Sequence, residues 1–144
     1  MKNPHDQPEL ATRAESRLLS PGLLLELYDA PVAFHRAFIE LGGSVTAALF
    51  LSCACQEAAE LPEESDAWLR LSTEAWRKIT GLTRHELDTA RRHLRTQGLI
   101  EERRVGMPAR LEIRIEVGRL LARLKDQASG KYTGLAEIDY VVRA

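Results

Sequence analysis

The chain has 144 residues, 44% hydrophobic and 28% charged, with a net charge of -1. That composition excludes a disordered, collagenous or disulfide-rich protein, and the length allows one domain with an extension. The balance hides an asymmetry: residues 1–69 carry 4 basic and 11 acidic side chains, whereas residues 70–114 carry 11 basic and 6 acidic. An acidic half beside a basic segment suggests that one surface faces polyanions.

Residues 1–8, with two prolines, read as a mobile start, and Glu9 to Ser20 as a helix that Pro21-Gly22 breaks. Leu23 to Tyr28 follows as a short apolar segment. Pro31 is placed to open a helix carrying Val32, Phe34, Phe38, Ile39 and Leu41, which Gly42-Gly43 ends. Ser44 can cap a central helix from Val45 to Ala59, apolar nearly all round and hence covered on several sides. Cys53 and Cys55 fall inside it, too close for a disulfide framework, and imply core packing in a reducing cytoplasm. Its apolar run is too short to span a bilayer of ~30 Å, and no signal peptide is expected, so no membrane role follows.

Leu61 to Asp66 reads as an acidic loop, and Trp68–Ser72 as a short strand. Ser72 or Thr73 caps a helix whose Ala75, Trp76 and Ile79 face inward, and Gly81 ends it. Thr83 restarts the chain as an N-cap with Glu86 three residues on, a capping box, and Leu82 and Leu87 stand at the two positions of a hydrophobic staple. Gly98 closes this second helix. Two runs, LIEERRV and ARLEIRIEV, flank Gly106-Met107-Pro108, and Leu111, Ile113 and Ile115 alternate with charged residues as in a half-buried strand. Val117 to Gln127 forms a last helix with Leu120, Leu121 and Leu124 inward, and the tail from Lys131 to Ala144 is apolar enough to require a partner surface, on its own domain or across a dimer.

Helix, turn, helix, hairpin is the order of a winged helix. The expected fold is therefore mainly α (α+β): a winged helix-turn-helix domain over residues 31–127, an N-terminal helical extension over 1–30, and a tail over 128–144 as a possible dimer contact. On the second helix, Leu87, Ala90 and Leu94 lie within ~60° of one another and form the buried face. The opposite side carries His85, Thr89, Arg92 and Thr96, flanked by Asp88 and Arg95, with Thr83 and Arg84 at the start. Arginine can donate a bidentate pair to guanine, and threonine can meet a thymine methyl or a phosphate. Arg91 sits nearer the core edge, placed to reach a phosphate. Arg103, Arg104 and Arg110 flank the hairpin turn, where they would touch phosphates or enter the minor groove; the alternative is cross-strand pairing with the neighbouring glutamates.

Nothing points to catalysis. No metal-ligand spacing, phosphate loop or nucleophile elbow is present, and His85 and His93 stand at unlike angles on one helix. No cofactor, metal or small-molecule ligand is expected.

From about Leu24 to Leu124 the chain resembles a group of winged-helix proteins encoded on phages, plasmids and integrative elements. The resemblance rests on DAPVAFHRAF, GSVTAALFLS, EAWRKITGLTRHELDTARRHL and GLIEERRVGMPARLEIRI. Where that group continues the GSVTAALFLS helix into Gln and an aromatic pair, this chain has Cys53-Ala54-Cys55-Gln56, and the group's aromatic-rich strand is reduced to Ala67-Trp68-Leu69-Arg70. The resemblance implies DNA binding in the biology of a mobile element, as regulator or replication accessory, without choosing between these roles. The expectation taken forward is double-stranded DNA binding by a cytoplasmic, nucleoid-associated homodimer, as a repressor of the mobile element or as a replication or partition accessory. A protein-interaction adaptor that never meets DNA is the alternative of a different class.

Overall fold

One buried helix organises the computed structural model, which describes residues 20–28 and 31–129. Among these residues are six helices and one two-stranded antiparallel sheet, a mixed α and β fold. The chain divides into two units between Val32 and Ala33. In the first, helix α1 (Pro21–Tyr28) corrects the expectation that Leu23 to Tyr28 is only a short apolar segment. Pro21 takes the first helical position, where a missing N–H costs nothing, and the Leu23 amide donates to Ser20 Oγ at 3.2 Å. The helix expected from Glu9 and the apolar tail from Lys131 lie outside the described residues.

The second unit contains α2 (Ala37–Gly42), α3 (Val45–Ala59), α4 (Thr73–Thr80), α5 (Arg84–Thr96), β1 (Ile100–Val105), β2 (Arg110–Ile115) and α6 (Val117–Ser129). Helix α2 does not open at Pro31. It begins at Ala37, because the His35 amide is committed to Ser52 Oγ at 3.0 Å, and Arg36, the residue before the helix, makes no side-chain cap. Helix α3 keeps its expected bounds. Gly43 turns the chain at φ 82°, and Ser44 Oγ accepts from the Ala47 amide at 3.1 Å. A Cβ on Gly42 would stand 2.9 Å from the Ala47 Cβ and 3.4 Å from Leu94 Cδ2, so the absence of a side chain there lets α2 close onto α3 and α5.

Helix α3 is covered by α2 on one side and by α5 on another, with α4 and β2 beside them. Ala47, Ala48, Phe50, Leu51 and Ala54 are fully buried, and the Phe50 ring packs on Trp76 of α4 with centroids 4.7 Å apart. Cys53 is buried in the same helix and Cys55 half-buried, both as free thiols, and burial pushes Cys55 up to about 11. They behave as small core residues, inert as nucleophiles.

The turn between α4 and α5 follows its local chemistry. Ser72 caps α4, Gly81 ends it at φ 71°, and the capping box of Thr83 and Glu86 is closed in both directions, at 3.2 and 2.7 Å. Helix α5 ends in a Schellman arrangement: Leu99 N–H donates to Leu94 O and Gly98 N–H to Arg95 O, each at 2.9 Å, with Gly98 at φ 70°. Leu99 then enters the core and delivers the chain into the hairpin, whose register runs from Ile100 opposite Ile115 to Val105 opposite Arg110. The strand expected over Trp68–Ser72 is reduced to a single bridge, Leu69 to Ile113, with bonds of 2.7 and 3.1 Å. Ala67 at φ 62° before it and the Ser72 cap after it leave no room for a longer ladder. Helix α6 buries Leu120, with Leu121 and Leu124 half-buried, and its Arg119 and Arg123 donate to the Gly98 and Gln97 carbonyls beyond the end of α5.

Candidate nucleic-acid interface

Helix α5 buries Leu87, Ala90 and Leu94 and presents Arg84, His85, Asp88, Arg92, Arg95 and Thr96 to solvent, with Thr89 and Arg91 half-buried. The residues singled out from the sequence therefore surround one exposed face, but the structure divides them into two kinds.

Arg91 and Arg95 are both held by Glu102 of β1. Arg91 Nε donates to Glu102 Oε1 at 2.7 Å, and Arg95 Nη1 to Oε2 at 2.6 Å, while Arg91 Nη1 reaches Asp88 at 3.0 Å. The Glu102 side chain is only 9% exposed and Arg91 15%, so this carboxylate clamps the hairpin to the flank of α5. On the outer face of the hairpin, Glu112 accepts from Arg103 Nε at 2.6 Å and from Arg70 Nε at 2.8 Å, and Arg70 also pairs with Asp66. The Arg103 guanidinium lies 4.0 Å over the Trp68 ring, and Arg114, bonded to Glu101, lies 4.9 Å from it. Thr83 is spent on its cap. Asp88, Arg91, Arg95 and Arg103 are thus engaged in holding elements together.

The other cations are unengaged. Arg84 and Arg92 on α5, and Arg104 and Arg110 beside the hairpin turn, are exposed and make no ion pair or side-chain hydrogen bond among the described residues. They are the guanidinium groups available to an outside anion. Lys78 on α4 is also exposed and unpaired, a cation that the sequence reading passed over. That reading also missed Glu102 and Glu112 as clamps. In β1, Glu102 is in phase with Ile100, so the period-2 pattern itself turns it toward α5, whereas the burial of Glu112 comes from Arg70 and Arg103 closing over it. Between the hairpin tip and the α4–α5 pair runs a groove of about 830 Å³, floored by Trp76, Leu87 and Leu111.

These pairs make stability sensitive to acid. Burial alone would raise the Glu102 carboxyl, but Arg91 and Arg95 hold it below the usual range. Arg103 and Arg70 lower Glu112, and the hydrogen bonds from Arg70 draw Asp66 down to about 2. A carboxyl whose pKa is lower in the folded chain contributes stability above its unfolded value, and that contribution is lost as pH falls through the folded value. Thermal unfolding followed by circular dichroism is therefore expected to show a falling midpoint from about pH 4.5 toward pH 2. A midpoint flat over that window would contradict the clamps. Glu102→Ala, which leaves Arg91 half-buried without its main partner, is expected to cost about 1–3 kcal/mol in a urea melt.

Among the described residues no group of three or more His, Cys, Asp or Glu could hold a metal, and no helix is long and apolar enough to cross a membrane. No protein-family model, no curated protein and no solved structure matches the chain. The functional reading therefore rests on the chain's own residues.

Proposed function

We propose that the chain is a winged helix-turn-helix protein that binds double-stranded DNA sequence-specifically and acts as a transcriptional repressor of a mobile genetic element. The observation that carries this reading is the division of the arginines. Arg91 and Arg95 are spent on fixing the hairpin against α5, while Arg84 and Arg92 stand free on the helix and Arg104 and Arg110 on the hairpin. Unpaired guanidinium groups on the exposed face of α5 and at the hairpin are available to an outside polyanion, and a helix lying in the major groove would use them on guanine edges and phosphates. The hairpin is then the wing. As a homodimer, the protein would meet a pseudo-palindrome with half-sites roughly one helical turn apart, and occupancy of such a site in a promoter would block transcription.

The test is a fluorescence-anisotropy titration of a mixed-sequence duplex at several salt concentrations. Affinity is expected to fall steeply with salt, in proportion to the number of phosphates neutralised. Arg104→Ala should weaken binding to all duplexes alike and reduce the slope by about 1. Absence of binding at low salt by the folded protein would overturn the proposal and favour an adaptor that meets only protein.

A further inference from the structure

The tip of the hairpin pairs two properties that the contacts described so far leave unused. Met107 is 100% exposed and Val105 45%, and Pro108 beside them is exposed as well. From Arg104 to Arg110 the chain reads RVGMPAR, with two arginines and no acid. In the hairpin register Val105 stands opposite Arg110 and Arg104 opposite Leu111. Cross-strand partners share a face and successive residues alternate, so Arg104 and Arg110 lie on opposite faces of the ribbon. Neither makes an ion pair among the described residues. The groove of about 830 Å³ beneath the tip separates it from α4 and α5. An unpacked apolar point therefore projects with one free guanidinium on each side.

We propose that this tip is a wedge: Met107 enters a base step from the minor groove of double-stranded DNA, partly unstacks it and kinks the duplex. A ribbon in the minor groove runs between two sugar–phosphate backbones, and a cation on each face meets one of them. The apolar point then has only the base-pair floor to contact, where methionine and proline side chains unstack steps and bend the helix by about 20–90°. Flexible pyrimidine–purine steps accept this most readily. A protein partner fits less well, because the two arginines face away from each other and no acid at the tip offers a complementary pair. The wedge rests on the DNA-binding reading above and adds a deformation to it.

The test combines two readouts on the same samples. Duplexes of about 30 bp, end-labelled for energy transfer, carry a central TA step or a stiff A-tract in its place. Anisotropy reports binding, transfer efficiency reports bending, and 2-aminopurine beside the step reports unstacking. The protein is expected to raise transfer and 2-aminopurine emission on the TA duplex more than on the A-tract. Met107→Ala should abolish both signals and weaken binding by up to about tenfold, while Met107→Leu should restore them. Binding without any change in transfer or emission, or equal bending by Met107→Ala, would overturn the wedge and leave the DNA-binding reading standing. Flat anisotropy on every duplex would overturn both.

Discussion

Phe50→Ala is expected to lower the unfolding free energy by about 3–5 kcal/mol. Phe50 is fully buried on α3, with its ring tilted against Trp76 at 4.7 Å. Truncation removes the transfer energy of the ring and leaves a cavity at the junction of α3 and α4, with α5 on the same helix unable to move in, because Leu87, Ala90 and Leu94 are themselves packed. A loss of that size is a large share of the 5–15 kcal/mol by which domains are typically stable. Urea unfolding followed by circular dichroism checks it, with a lowered midpoint at unchanged slope as the expected result. Val45→Ala on the same helix is the control. Val45 is 53% exposed, and its truncation should stay within about 0.5 kcal/mol. Similar losses for the two variants would mean that α3 is not the centre of the core.

The second large effect falls on binding and spares the fold. Arg84→Ala combined with Arg92→Ala is expected to cost about 2–6 kcal/mol of affinity for a cognate duplex, about 1–3 kcal/mol for each arginine. The two positions are eight residues apart on α5, or about 12 Å along the helix axis, so their losses should add. Both side chains are exposed and unpaired among the described residues, so the unfolding midpoint should hold. Arg91→Ala should behave differently. It breaks bonds to Asp88 and Glu102, so stability should fall along with any change in affinity. An Arg84/Arg92 variant that binds a cognate duplex as well as the parent would show that the reading face lies elsewhere.

The parts of the fold legible in the sequence are those whose signals are local. Ser44, Ser72 and Thr83 with Glu86 set helix starts through bonds spanning three residues, and Gly43, Gly81 and Gly98 set helix ends through positive φ. The hairpin was legible from its alternation and its turn. What escaped depends on contacts between distant residues. The helix after Pro31 starts late because the His35 amide bonds a serine 17 residues away, and a proline offers no hint of that. The segment from Trp68 to Ser72 has strand-like residues, yet its neighbours restrict it to one bridge. The candidate site was legible as a face but not as a division of labour. Whether an arginine on α5 is free depends on a glutamate 11 residues on, and Arg70 is tied to Glu112 across 42 residues. Side-chain type and helical angle locate the exposed face, whereas the pairing that sorts its charges emerges only when β1 folds back on α5.

The central claim is sequence-specific binding of double-stranded DNA through α5, and selection from a pool of random duplexes at about 150 mM salt tests it most directly. Bound fragments are recovered over several rounds and sequenced. The expected result is one enriched motif, arranged as an inverted repeat with half-sites roughly one helical turn apart. A pool that stays random after selection by the folded protein would contradict the claim.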